Sequence, residues 1–377
     1  MKIFRNLLLG ITGAFLILSG FLIFPNGVDA QTIKIGLVSV ITGPTAKLGE
    51  DITRGAKLAV EEVNKAGGIQ GKKIDLIIED DSGKPDVGVN AITKLVRKDK
   101  VFVLLGPDYS GVTFPSMFIC QEASVPQLTS SLAPKITQQK NPWIFRLRPN
   151  DDTVAKILVQ YMLTNLKLKK IALMNVAVEY GISGIEAAEK YLRISDVPAV
   201  LKVSYNFGDK DFTAQISRIK ESGAEAILNW GLPVEAALIA KQLRQLGYKG
   251  LYIGGTGLDD HYVELAQDAA EGSYSVTNFS SEDPDPIKQD FTKKYRTRWN
   301  SLPDRASANY YQGIYLIKHV VEKAGVDPMK FRDFLHNLKN WKGMQGTYSY
   351  DDNGDCGTFQ TIVKVQKGKF NVVYTNP

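Results

Sequence analysis

The feature that most constrains the fold is an alternation of short apolar runs with amphipathic helical segments. It begins at residues 33–40, which read as a strand, and continues with apolar residues at helical spacing up to Gly67-Gly68. The same alternation persists to about Gly254, and its extended runs are bounded by glycine, proline or polar turns. Consecutive strand–helix units need crossover connections, so the sequence predicts an α/β fold of parallel sheets with helices on both faces.

The strand–helix units form two sets that meet near residue 150. Beyond Phe279 the pattern changes to two long helical segments, at residues 287–299 and 305–323. The last thirty residues hold extended runs around Asn353-Gly354, which is a hairpin signal. A chain of 377 residues also exceeds the usual size of one core, so two domains are expected.

Residues 1–30 have the pattern of an export signal. Lys2 and Arg5 precede a long apolar run, and Val28-Asp29-Ala30 offers a small-residue cleavage site. We expect an exported mature chain that begins near Gln31 and resides in the periplasm. The apolar run is long for a cleaved signal, so an uncleaved anchor stays open as the alternative.

The composition excludes several classes of function. Hydrophobic residues make up 44% of the chain and charged residues 23%, which is typical of a globular protein. The formal charge is +6, but basic and acidic residues are interspersed, so nucleic-acid binding is not expected. The three histidines have no metal-ligand spacing and no nucleophile motif is complete, so we expect no enzyme, metal or cofactor. Cys120 falls on the apolar face of its segment, which favours free thiols over a disulfide with Cys356.

Residues 101–132 predict half of a binding cleft. They read as a strand, a Gly106-Pro107 turn, a helix, a second short strand and a turn of small polar residues. In parallel α/β sheets, ligands bind beyond the carboxyl ends of strands, where helix N-termini present N–H groups to anions.

Long stretches of the chain resemble the type I periplasmic solute-binding proteins of ABC transporters, and within them the branched-chain (leucine/isoleucine/valine) amino-acid receptors. The strongest likeness is IKIGLVSVITGPTAKLGEDITRGAKLAVEEVNKAGGIQGKKIDLIIEDD. It continues in LLGPDYS, FRLRPND, EYG at residues 179–181 and VEAALIAKQLRQLGY. The resemblance spans about residues 32–374.

The resemblance implies two Rossmann-like lobes, joined by three crossovers, that close on a ligand between them. Lobe 1 would comprise residues 31–149 and 279–344, and lobe 2 residues 150–278 and 345–377. The implied protein is a monomeric receptor that captures a small carboxylate-bearing solute and delivers it to a membrane ABC permease. A sensor of the same fold for an amide, urea or organic acid, acting through a signalling partner, is the alternative.

The resemblance also assigns a carboxylate-binding side of the cleft. Ser110 matches the serine that holds the ligand carboxylate from lobe 1, although a helix N-cap serine is the structural alternative. Ser130 and Ser131 match the turn that completes this site. Leu132 stands where the family usually has threonine, which removes one hydrogen bond and adds an apolar contact.

Other positions bear on the identity of the ligand. Tyr180 matches the tyrosine that covers the ligand from lobe 2, and Leu48 replaces an aromatic residue. Thr256 stands where the amino-acid receptors carry the acidic partner of the α-ammonium group. Glu179 and Asp259 are the alternative acidic partners, although neither stands at the matching position. Further predicted positions are the aromatic residues Trp230 and Tyr109, with a core position as the alternative for Trp230.

The weakened ammonium site favours a non-amino organic acid, such as an aromatic acid, over an amino acid, because a buried ammonium without a carboxylate is costly. Arg148 is left unassigned between the cleft and the hinge surface.

Overall fold

The computed structural model describes residues 32–357 and 360–375, so the predicted export signal lies outside the described part of the chain. The first strands are β1 (Ile33–Ser39), β2 (Ile74–Asp80), β3 (Val103–Leu105), β4 (Gln127–Thr129) and β5 (Ile144–Arg146). Helices α1 (Ala46–Lys65), α2 (Pro85–Thr93) and α3 (Ser110–Ala123) connect them. The five strands form a parallel sheet in the order β2-β1-β3-β4-β5.

A second set of units follows. Its helices are α4 (Asp151–Thr164), α5 (Glu179–Ile194), α6 (Thr213–Glu221), α7 (Pro233–Gln245) and α8 (Asp260–Ala266). Its strands are β6 (Ile171–Val176), β7 (Leu201–Tyr205), β8 (Ala226–Trp230), β9 (Leu251–Gly254) and β10 (Tyr274–Thr277). Pro233 opens α7, where its fixed backbone angle suits the first turn of a helix.

The chain then returns to the first sheet and leaves it again. It forms α9 (Pro286–Trp299), α10 (Arg305–Ala324), α11 (Pro328–His336) and a hairpin of β11 (Trp341–Gly343) and β12 (Gly346–Tyr348). Strands β13 (Thr361–Gln366) and β14 (Lys369–Thr375) then complete a seven-stranded sheet in the order β14-β13-β10-β9-β8-β6-β7. The last two strands are antiparallel to their neighbours, whereas β6 to β10 are parallel.

The two sheets carry separate large cores, which gives the molecule two lobes. The first lobe contains β1–β5, α1–α3, α9–α11 and the β11–β12 hairpin, and the second contains the remaining strands and helices. Helices α1 and α10 approach closely in the first lobe. A Cβ added at Gly55 would lie 2.0 Å from the Ser307 carbonyl oxygen, so only glycine allows this contact. The packing fixes the start of α10 at the edge of the interlobe space.

The predicted α/β class, with two parallel-sheet lobes, is confirmed. One lobe boundary differs from the sequence-based one, which placed the final crossing at residue 345. Tyr350 still donates a hydrogen bond to the Arg146 carbonyl (2.7 Å), and Arg146 N donates to the Gly354 carbonyl (2.9 Å). Residues 346–356 therefore pack on the first lobe, whereas Thr361 begins a strand of the second lobe's sheet.

Both cysteines are buried and free, as predicted. Cys120 packs beside β3 with apolar residues of α2, and Cys356 packs in the first lobe's main core. Among the residues that the structure describes, no helix is long and apolar enough to span a membrane.

Candidate ligand-binding site

A cavity lies between the two lobes, at the carboxyl ends of strands from both sheets. Small-molecule sites occur preferentially in clefts between domains. The first lobe contributes Thr45, Lys47, Leu48, Asp51, Asp108, Tyr109, Ser110, Leu132, Arg148, Asp304 and Arg305. The second lobe contributes Tyr180, Leu232, Pro233, Val234, Thr256, Gly257, Asp259 and His261.

The structure brings six of the nine residues predicted from the sequence to this cavity. They are Leu48, Tyr109, Ser110, Leu132, Tyr180 and Thr256. The other three, Ser130, Ser131 and Trp230, are fully buried and do not line it. Contact between the six residues and a ligand remains a prediction.

Ser110 is the first residue of α3, and Tyr109 rather than Ser110 is the N-cap. The Ser110 Oγ accepts hydrogen bonds from the backbone N–H groups of Leu132 (3.2 Å) and Ala133 (3.1 Å). These bonds tie the start of α3 to the turn after β4. The N–H groups of that turn are therefore engaged by Ser110, which keeps its own hydroxyl proton for donation.

Ser130 and Ser131, in the turn after β4, make hydrogen bonds within the protein. The Ser131 hydroxyl lies 2.6 Å from the Thr113 hydroxyl and 2.9 Å from the Asp108 carbonyl oxygen, to which it donates. The Ser130 carbonyl oxygen accepts a hydrogen bond from Arg148 Nε at 2.7 Å. Both serines thus lie behind the cavity wall, where they hold other wall residues in place.

Trp230 occupies the core position that the sequence left as its alternative. The indole Nε1 donates to Asp151 Oδ1 at 3.0 Å, and the side chain is fully buried. Added Cβ atoms at Gly184 and Gly255 would lie 1.9 Å and 2.8 Å from ring atoms, so two glycines make room for the indole. The ring packs beneath the cavity instead of facing it.

Tyr180 and Thr256 form the second lobe's side of the site. Their hydroxyl oxygens are 3.4 Å apart, and the Gly257 N–H donates to Tyr180 Oη at 3.1 Å. Burial raises the pKa of Tyr180 well above its ordinary value, so the ring carries a neutral hydroxyl. This hydroxyl presents a positioned hydrogen-bonding group beside Thr256.

Two arginines in the cavity wall were not assigned to the site from the sequence, which left Arg148 open and did not single out Arg305. Arg148 and Arg305 are both buried, and Arg305 Nη2 lies 4.0 Å from Asp259 Oδ2. Burial, together with the charge of Arg305, lowers the pKa of Arg148 to about 10, so it remains cationic at neutral pH. Burial raises the pKa of Asp259 to about 7, although Arg305 opposes that shift.

A signal for Arg148 is present in the sequence, since it is a basic residue just after a strand. Arg305 gives no local signal, because its position depends on how α10 packs against α1 through Gly55. Among the described residues, no group of histidine, cysteine or carboxylate side chains is arranged to hold a metal ion.

Asp151 is a buried titratable group behind the cavity. Its carboxylate accepts hydrogen bonds from Trp230 Nε1 (3.0 Å) and Ser183 Oγ (3.1 Å). Burial raises its pKa to about 7, while the Trp230 hydrogen bond and the charge of Arg148 act in the opposite direction. Because the ordinary value is 3.8, the folded state retains a proton that the unfolded state has released. The stability contributed by that proton is full below the unfolded pKa and declines as the pH rises through the folded pKa.

We therefore expect the Tm to be lower at about pH 8.5 than at about pH 6.5, with Asp151 contributing about 1 kcal/mol to the difference. Asp151→Asn keeps the side-chain shape and removes the titration, so its Tm should change less over the same interval, by about 2–4 °C. Differential scanning calorimetry of both proteins measures this. An equal Tm change in wild type and variant would contradict the assignment.

Comparisons with known proteins agree with this architecture. The family model described as "Periplasmic binding protein" matches residues 32–369. A protein of Brucella melitensis named Leu/Ile/Val-binding protein homolog 3 is 31% identical over 331 residues, which cover 86% of this chain and 89% of that protein. Rhizobium johnstonii BraC3, named a Leu/Ile/Val-binding protein, is 32% identical over 343 residues, with 89% and 92% covered.

Solved structures show the same fold. The substrate-binding protein LivJ of Streptococcus pneumoniae, in complex with isoleucine, has a TM-score of 0.84 and 27% identity, covering 92% of this chain and 100% of LivJ. A solute-binding protein of Rhodopseudomonas palustris BisB5, in complex with 3,4-dihydroxybenzoic acid, has a TM-score of 0.84 and 22% identity. That alignment covers 92% of this chain and 97% of the other, and at this identity it shows the fold alone.

Proposed function

The chain belongs to the periplasmic binding protein family and is of the branched-chain amino-acid ABC-transporter type; on this premise we propose that it captures a small carboxylate-bearing solute in the interlobe cavity. The solute is then delivered to a membrane ABC permease. Export to the periplasm, directed by residues 1–30, belongs to the same proposal. Subcellular fractionation of the producing cell tests this location.

The observation that carries the proposal is that residues of both lobes line one cavity. A solute held there bridges the lobes, so its binding energy favours the closed arrangement over an open one. Direct contacts between the lobes add to closure. Lys135 Nζ lies 2.6 Å from Glu179 Oε2, and Arg305 lies beside Asp259.

The cavity wall supports an organic acid as the ligand class. Leu48, Leu132, Leu232 and Val234 give it apolar surface, and Tyr109 adds an aromatic ring. A ligand with an apolar or aromatic skeleton and one acid group matches these lining residues.

We propose a non-amino organic acid, with an aromatic acid as the favoured type. Thr256 lines the cavity at the position that the resemblance assigns to the acidic ammonium partner. Asp259 also lines the cavity, but it faces Arg305, which already balances its charge. The relatives named as leucine, isoleucine and valine binders keep an amino acid as the competing ligand, whereas the Rhodopseudomonas protein shows that this fold can hold an aromatic acid.

Calorimetric titration of refolded, ligand-free protein tests this choice. Benzoate and 3,4-dihydroxybenzoate serve as aromatic acids, and L-leucine and L-isoleucine as amino acids. We expect at least one aromatic acid to bind about tenfold more tightly than either amino acid, a difference of about 1.4 kcal/mol. Tight binding of leucine without binding of either aromatic acid would overturn the preference.

A further inference from the structure

Two buried arginines in the cavity wall have hydrogen-bond donors without partners. Arg148, after β5, is 4% exposed, and Arg305, the first residue of α10, is 6% exposed. Within the described part of the chain, Arg148 Nη1 and Arg305 Nε and Nη1 are buried and donate to no hydrogen-bond partner. Both side chains line the interlobe cavity.

Arg146, two residues before Arg148, provides an internal comparison. It is fully buried, pairs with Asp355 through Nε and donates from Nη1 to the Ser131 carbonyl. Its Nη2 donates to the Ala133 carbonyl at 2.6 Å. The fold thus supplies acceptors to a buried guanidinium that has only a structural role. Arg148 receives one such bond, from Nε to the Ser130 carbonyl (2.7 Å), and its remaining donors are left for another acceptor.

Arg305 is held in place by the start of α10, in the same lobe as Arg148. Asp304 caps α10, where its side chain accepts a hydrogen bond from Ser307 N at 2.7 Å, and the capping box fixes the helix start. The close contact at Gly55 holds this end of α10 against α1. Because backbone elements position both arginines, their free donors are preorganised for a ligand.

Nearby carboxylates balance the two positive charges without using these donors. Asp259 Oδ2 lies 4.0 Å from Arg305 Nη2, which is beyond hydrogen-bond distance. Asp108, which also lines the cavity, has a buried Oδ1 without a partner among the described residues. The other charged pair in the wall is closed on itself, since Lys47 Nζ lies 2.6 Å from Asp51 Oδ1.

The turn after β4, which the family resemblance assigns to the ligand carboxylate, has fewer free donors. Ser110 Oγ accepts the N–H groups of Leu132 and Ala133, and the Ser131 hydroxyl is engaged by backbone carbonyls. The strongest donors that remain free at the cavity belong to the two guanidinium groups.

We propose that Arg148 and Arg305 together bind the carboxylate of the ligand, which makes them the residues that select an ionised acid. The proposal rests on the proposed function and deepens it. A planar guanidinium donates two parallel hydrogen bonds to one carboxylate, which neither a hydroxyl nor a lysine reproduces. The site should therefore take the ionised acid and reject its amide, while Ser110 adds a single supporting hydrogen bond.

The test compares Arg148→Gln and Arg305→Gln with wild type by calorimetry. The probes are benzoate, 3,4-dihydroxybenzoate and L-leucine, each beside its amide. We expect each substitution to weaken binding of the preferred acid by at least about 100-fold, since a charge-assisted pair is lost from a buried site. Arg298→Gln, at an exposed arginine paired with Glu61, is the matched control and should leave affinity unchanged.

The outcomes separate this inference from the proposed function. Wild-type protein that binds none of the three acids contradicts both. Acid binding that stays within about threefold of wild type in both glutamine variants overturns the role of the arginines alone. If a glutamine variant fails to fold by circular dichroism, Arg148→Lys and Arg305→Lys take its place. These variants keep the charge and lose the planar donor pair, so a loss of at least about tenfold is expected, and unchanged affinity would overturn the inference.

Discussion

Thr256→Asp is expected to change the ligand preference toward amino acids. The substitution places a carboxylate on the cavity wall beside the Tyr180 hydroxyl, which lies 3.4 Å from the present threonine oxygen. A charge-assisted hydrogen bond to an ammonium group contributes about 1.5–3 kcal/mol, so L-leucine should bind about tenfold to 100-fold more tightly than to wild type.

The same substitution should weaken binding of aromatic acids by at least about tenfold, because a second negative charge then faces an anionic ligand in a buried site. Thr256→Asn is the matched control, since it has nearly the same shape and no charge. Calorimetry with L-leucine and benzoate on the three proteins measures both effects. An increase in leucine affinity in the asparagine variant equal to that in the aspartate variant would contradict the electrostatic explanation.

Trp230→Ala is expected to have the largest effect on stability. The indole is fully buried in the second lobe's core and donates a hydrogen bond to the buried Asp151 carboxylate. Its removal leaves a cavity and an underbonded buried carboxylate, at a cost of about 3–5 kcal/mol. Thermal unfolding should show a Tm lower by about 10 °C for the transition that includes the second lobe. Trp299→Ala, at a half-buried tryptophan of α9, should cost less.

Trp230→Phe separates a core role from ligand contact. Phenylalanine keeps most of the buried volume and removes the hydrogen bond to Asp151. Since the ring does not line the cavity, affinity for the preferred acid should stay within about threefold of wild type while the Tm falls. A large loss of affinity at unchanged Tm would instead place the side chain in contact with the ligand.

The sequence predicts most of the fold because its signals are local. Strand β1 and helices α9 and α10 lie within about a residue of the ranges 33–40, 287–299 and 305–323 that the pattern of apolar runs and turns predicts. The elements α8, β10 and α11 were not predicted. Residues 346–356 were assigned to the wrong lobe, since the contact of Tyr350 with the Arg146 carbonyl joins distant parts of the chain.

The candidate site was less predictable, for a related physical reason. Strand ends and family resemblance bring Ser110, Tyr180 and Thr256 to the cavity. Which donors remain free there depends on tertiary hydrogen bonds, such as those from the turn after β4 to Ser110. The two arginines line one cavity only because α10, far along the chain, packs on α1. No local sequence pattern predicts the packing of α10 on α1.

Native mass spectrometry of the freshly purified protein, followed by release and identification of the bound solute, identifies the ligand class directly. We expect one small molecule per chain that carries a carboxylate and no α-amino group, and that binds again to refolded protein. A bound solute without a carboxylate, such as a neutral sugar or a polyamine, would contradict this expectation.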